Sequence, residues 1–178
     1  MSRFFFALSP DKLTKDEIIQ YRKALNVSGK LINAEHLHIT LIFLGKLSIN
    51  EQQTVIQVAN NLRCMSFNII SGSIGVFNNN ILWLGLKSIP EPLRLLHKQL
   101  SLEIQKSGIS VDTREYKPHI TLIRKAMLKS DSVKSLLLNK TPAGIHWQVN
   151  EFILYESIDT ADGVQYQKIK SFSCTIPG

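Results

Sequence analysis

The sequence predicts an α+β fold built of two similar lobes in one compact unit spanning residues 1–178. Three observations carry this. Strand-like and helix-like runs follow one another in the order β-α-β-α-β-β-α-β-α-β-β. The pentapeptide His-Ile-Thr-Leu-Ile occurs twice, beginning at His38 and at His119, close to half a chain length apart. No linker of Pro/Gly/Ser composition divides the halves, and 178 residues suffice to bury a core without staples.

Residues 3–8 hold the apolar run Phe4-Phe5-Phe6-Ala7-Leu8 and read as a first buried strand, which Ser9-Pro10-Asp11 punctuates. A helix is predicted over 14–25, with Ile18, Ile19 and Leu25 inward and Thr14 with Glu17 resembling a capping box. The first motif strand spans 37–44 and stops at Gly45. Residues 49–62 are helical in pattern, with Val55, Ile56, Val58 and Ala59 on the inner face. Residues 67–76 and 81–86 form a hairpin around Asn78-Asn79-Asn80, because Asn tolerates the positive φ of a tight turn. Pro90 and Pro92 open a helix in which Leu93, Leu96, Leu100 and Ile104 recur at helical spacing until Gly108; His97 falls outside that stripe, as a solvated residue. Pro118 introduces the second motif strand, 119–124, and a short helix is expected at 130–138. Strands at 146–155 and 164–172 close the chain around Asp162-Gly163.

Period-2 alternation points His38 with Thr40, and His119 with Thr121, to one face of each strand, while Ile39 and Ile120 point to the other. Two imidazoles and two hydroxyls can therefore converge. With a phosphodiester between them, one neutral imidazole takes a proton from water and a protonated one donates to the leaving alkoxide. The threonine hydroxyls would donate hydrogen bonds to the non-bridging oxygens, and no metal is needed. Another reading is a three-histidine zinc site of His36, His38 and His119; no carboxylate is placed to support it, and the paired threonines stay unexplained. The chain carries no GxSxG elbow, P-loop or Rossmann fingerprint.

A formal net charge of +7 favours polyanionic partners, and the scattered Lys and Arg residues suit a groove rather than a tail; a merely basic enzyme would look the same. Cys64 and Cys174 stand alone and far apart, and read as reduced, partly buried thiols. The N-terminal apolar run is too short for a signal-peptide core and no stretch approaches bilayer length, so a cytoplasmic location is expected. His146, beside Trp147, reads as a packed or edge histidine.

These residues resemble the 2H phosphoesterase superfamily, and most closely the bacterial RNA 2′,3′-cyclic phosphodiesterases, also called 2′-5′ RNA ligases. The resemblance rests on the Arg3–Leu8 start, His38-Ile-Thr-Leu-Ile-Phe-Leu-Gly45, Pro118-His-Ile-Thr-Leu-Ile-Arg124-Lys125, and Phe152-Ile-Leu-Tyr-Glu-Ser157 with Gly163 and Tyr166. It implies two antiparallel sheets, helices outside, forming a V-shaped cleft of pseudo-twofold symmetry. It also implies opening of an RNA 2′,3′-cyclic phosphate to a 2′-phosphate; no cofactor is expected, and a monomer is expected because no interface signal stands out. By carry-over His38 is the proton donor, His119 the proton acceptor, and Thr40 and Thr121 hold the phosphate. Arg124 follows the second motif where the family has an arginine, and with Lys117 would add positive charge. Phe43 falls where relatives offer an aromatic to the base, yet strict alternation puts it opposite His38, Thr40 and Ile42; unless the strand bends, it belongs to the core. Where many relatives have Arg-Trp-Val-x-Pro-Glu-Asn-Leu-His, this chain has Lys30-Leu-Ile-Asn-Ala-Glu-His36-Leu-His38; the Trp and Pro are lost, and His36 would perturb His38 if it shared its face. Expected partners are RNA ends or nucleotide cyclic phosphates, with weak 2′-5′ ligation as the reverse reaction. Alternatives are hydrolysis of small cyclic nucleotides and a non-catalytic RNA-end-binding module.

Overall fold

The computed structural model describes residues 2–78, 80–112, 114–128, 144–161 and 163–175. The helix expected at 130–138, and Asp162 of the expected turn, lie outside them. Among the described residues the fold is α+β: a curled antiparallel sheet with three α-helices. The strands are β1 (Ser2–Leu8), β2 (Lys30–Leu31), β3 (Ile39–Gly45), β4 (Phe67–Phe77), β5 (Ile81–Leu86), β6 (His119–Arg124), β7 (His146–Val149), β8 (Glu151–Thr160) and β9 (Gly163–Ser173). The helices are α1 (Lys12–Ala24), α2 (Ile49–Asn61) and α3 (Glu91–Lys106).

The strands follow one continuous order, β7-β4-β5-β6-β3-β1-β8-β9, with short β2 on β6. This departs from the two sheets expected. The motif strands β3 and β6 meet at the middle of the sheet through the antiparallel pair Ile39 opposite Ile120. Strand β1 lies between β3 and β8 with Phe4 to Leu8 all buried, which explains its unbroken apolar run. Phe4, Phe6 and Leu8 join the main core, while Phe5 turns toward the opposite face.

The helices cover the core face with the stripes their sequences set. In α3 Leu93, Leu96, Leu100 and Ile104 are at most 1% exposed. Helix α2 starts at a full capping box: Ser48 Oγ accepts from Glu51 N–H, and Glu51 accepts from Ser48 N–H. Helix α1 differs from expectation. Asp11 is its cap, accepting from Thr14 N–H at 2.8 Å, and Thr14 lies buried inside the first turn.

The expected strand at 146–155 is interrupted at Asn150 and becomes two strands, β7 pairing with β4 and β8 with β1 and β9. Cys64 and Cys174 form a disulfide, correcting the reading of two separate thiols. The chain on either side brings them together: Met65 and Thr175 form an isolated parallel bridge, and Thr175 N–H donates to the Cys64 carbonyl at 2.8 Å. No described helix is long and apolar enough to cross a membrane.

Candidate active site

The Ile39–Ile120 pair sets the site. Continuing that antiparallel register by one residue puts His38 opposite Thr121 and Thr40 opposite His119, all on the face away from the buried isoleucines. The structure thus brings together the four residues singled out by the doubled motif.

Each strand then bends in the same place. Phe6 pairs with Ile42 while Ala7 pairs with Thr40, leaving Leu41 as an extra residue. Leu82 pairs with Ile123 while Trp83 pairs with Thr121, leaving Leu122 as an extra residue. A β-bulge resets alternation. Leu41 and Ile42 are therefore both buried, as are Leu122 and Ile123. The next residue on each strand, Phe43 or Arg124, is turned out of the core. Phe43 is 50% exposed and lines a cavity with Thr40 and His119. Strict alternation, which would have sent Phe43 inward and Ile42 to the motif face, does not survive the bulge.

The two imidazoles are held alike. His38 Nδ1 lies 2.7 Å from the His36 carbonyl, and His119 Nδ1 lies 2.6 Å from the Lys117 carbonyl. A carbonyl only accepts, so each Nδ1 carries a proton and each Nε2 is the working nitrogen. In this tautomer His38 Nε2 accepts from the Thr40 hydroxyl at 3.1 Å.

Their surroundings differ. His38 contacts the rings of Phe5 and Tyr166, with centroids 5.1 and 5.4 Å away. His119 packs against Phe77 at 4.8 Å and Trp83 at 6.0 Å. Room for Trp83 comes from two glycines: a Cβ on Gly75 would stand 2.1 Å from its ring, and one on Gly85 2.7 Å. Burial pushes the His38 imidazole down from 6.5 to about 4; the His36 carbonyl opposes this, and the charges of His119, His36 and Arg124 reinforce it. His119 is also lowered, first by burial and then by Arg124, against the pull of the Lys117 carbonyl. Arg124 further opposes the burial-driven rise of Tyr166. Its charge therefore reaches both histidines.

Lys117 also enters through its backbone. Its carbonyl orients His119, whereas its ammonium is exposed and 3.2 Å from Glu115. The cavity on the His119 side holds about 680 Å³ and is lined by Thr40, Phe43, Phe77, Arg114, Lys117 and His119 among others. His97 also lines it, stacked on Tyr116 at 3.9 Å with the planes 7° apart, so it is not the solvated helix residue expected. Nothing in helical periodicity signals that stack, because Tyr116 lies outside the helix. His146 is exposed at the start of β7 beside buried Trp147. Among the described residues no group of three or more His, Cys, Asp or Glu side chains is arranged to hold a metal ion.

A family model described as the 2′-5′ RNA ligase superfamily matches residues 10–161. The chain belongs to that superfamily. It is 29% identical to the RNA 2′,3′-cyclic phosphodiesterase of Escherichia coli (strain K12), over 97% of both chains. It is 31% identical to the protein of the same name from Aquifex aeolicus (strain VF5), covering 88% of this chain and 87% of that one. The crystal structure of E. coli LigT complexed with 3′-AMP matches it with a TM-score of 0.84 at 26% identity, covering 98% of each chain.

Proposed function

We propose that this member of the superfamily is a metal-independent RNA 2′,3′-cyclic phosphodiesterase that uses both His-x-Thr pairs. The observation that carries the reading is the matched anchoring of the two imidazoles across the Ile39–Ile120 pair, each with Nδ1 on a carbonyl, which leaves Nε2 as the nitrogen that exchanges protons. His119 Nε2 takes a proton from water, the hydroxide oxygen bonds to phosphorus, and the bond from phosphorus to O3′ breaks. His38 Nε2–H gives its proton to the departing O3′, leaving a 2′-phosphate. Thr40 and Thr121 donate to the non-bridging oxygens, Arg124 adds charge, and Phe43 offers a face to a base. The assignment of His38 as acid follows the family resemblance. Its low proton affinity in the free protein means that the bound phosphate must raise it.

In this reading the cleft lies between two lobes, β7-β4-β5-β6 and β3-β1-β8-β9, related by a pseudo-twofold axis through the Ile39–Ile120 pair. The matching bulges at Leu41 and Leu122 support that symmetry. The protein works as a cytoplasmic monomer without a cofactor; with a 5′-hydroxyl in place of water, the same attack on phosphorus breaks the bond to O3′ and forms a 2′-5′ bond.

The test is an oligoribonucleotide ending in a 2′,3′-cyclic phosphate, incubated with the protein in EDTA. The expected product is a 2′-phosphate, with turnover abolished in His38→Ala and His119→Ala. A 3′-phosphate would contradict the regiochemistry, and zinc-dependent recovery would restore the three-histidine alternative. Faster turnover of mononucleoside cyclic phosphates would favour the small-nucleotide reading, and binding without turnover the end-binding module.

A further inference from the structure

The two motifs hold their histidines through the same carbonyl but fix that carbonyl by different means. Ahead of His119 the peptide joins Lys117 to Pro118, whose ring locks φ near −65° and is itself buried. Ahead of His38 the corresponding peptide joins His36 to Leu37, which has no such lock, yet Leu37 adopts φ −72°. Leu37 is fully buried and its N–H donates to the Ala34 carbonyl at 3.2 Å, which anchors one end of the peptide plane. The other end is anchored by a ring. The His36 imidazole lies on Tyr166 with centroids 4.4 Å apart, and the Tyr166 ring stands edge-on to His38 at 82°. Phe5 closes the cluster, 5.0 Å from Tyr166 and 5.1 Å from His38.

We infer that His36 is a positioning residue: clamped on Tyr166, it takes the part that Pro118 plays in the second motif, fixing the carbonyl that holds His38 Nδ1 and so aiming His38 Nε2 at the phosphate. The side chain acts as a ring. Its titration is not what the device needs, although Lys15 and Glu35 flank it and their charges reach it.

Nitrogen-15 NMR of the histidine side chains tests this without substrate, and steady-state kinetics on a 2′,3′-cyclic phosphate end tests its consequence. In the wild-type protein His38 and His119 should both be Nδ1–H tautomers. In His36→Ala, His38 should shift toward the Nε2–H tautomer that free imidazole favours while His119 stays unchanged as the internal control. With that shift kcat should fall about ten- to a hundredfold with little change in KM, as expected when a reacting group is misaimed and substrate binding is left intact. Tyr166→Leu should reproduce both effects from the other side of the clamp, and His36→Phe, which retains a ring, should restore them. An unchanged His38 tautomer and kcat in His36→Ala would overturn the inference, as would His36→Phe behaving like His36→Ala. If His36→Ala fails to fold, Tyr166→Leu and His36→Phe decide. The kinetic arm rests on the cyclic phosphodiesterase reading; a wild-type protein inactive on that substrate would sink that reading and leave the NMR arm to judge the clamp.

Discussion

In the free protein burial holds the His38 imidazole at about 4, so at neutral pH only about one molecule in a thousand carries a proton there. An anion placed between His38 and His119 favours the charged form and returns the imidazole toward its ordinary 6.5, a change worth about 3 kcal/mol. Because binding raises this pKa, it takes up a proton. Affinity should therefore be greatest below about pH 4, fall about tenfold per pH unit up to about 6.5, and level off above. His119, lowered in the same sense, adds in the same direction. Sulfate is the suitable probe, since its own charge is constant across this range. Between pH 7.5 and pH 5 its affinity should rise about 30-fold, with close to one proton taken up per sulfate at pH 5 and about a tenth of one at pH 7.5. Isothermal titration in buffers of different ionisation heat measures both quantities. The same slope in His38→Ala, or no proton uptake at pH 5, would refute the argument that desolvation of His38 governs anion binding.

The phosphate-holding threonines should matter to turnover more than to folding: Thr40→Ala and Thr121→Ala should each lose about 2 to 4 kcal/mol of transition-state stabilisation, read as kcat/KM with the thermal midpoint little changed. Phe43→Ala should shift stability by less than about 1 kcal/mol, since the side chain is half exposed, but weaken binding of an oligonucleotide end by about 1 to 3 kcal/mol, read from KM or from titration of a non-hydrolysable end. The disulfide spans a sequence separation of 110, and closing a loop of that length is worth up to about 4.7 kcal/mol in the chain-entropy account. Cys174→Ser should lower the thermal midpoint measurably, as should reduction of the wild type; an unchanged midpoint under reductant would show that the thiols are separate in solution.

The parts of the site that obey local rules were legible in the order of residues alone. The doubled motif named His38, Thr40, His119 and Thr121, and alternation placed each pair on one face, because side-chain direction along a strand is set by the backbone alone. The apolar stripe of α3 and the hairpin strands β4 and β5 were legible for the same reason. Everything that depended on a neighbour distant in the chain came from the way the segments pack. The bulges at Leu41 and Leu122 exist only against the registers of β1 and β5, and they turned Phe43 and Arg124 out of the core against strict period 2. The Cys64–Cys174 bond, the His97–Tyr116 stack and the role of the Lys117 carbonyl likewise follow from which segments meet. The equivalence of the two histidines in sequence ends there as well: Phe5, Tyr166 and His36 surround one, Phe77 and Trp83 the other, and desolvation by those different walls gives each imidazole its own proton affinity.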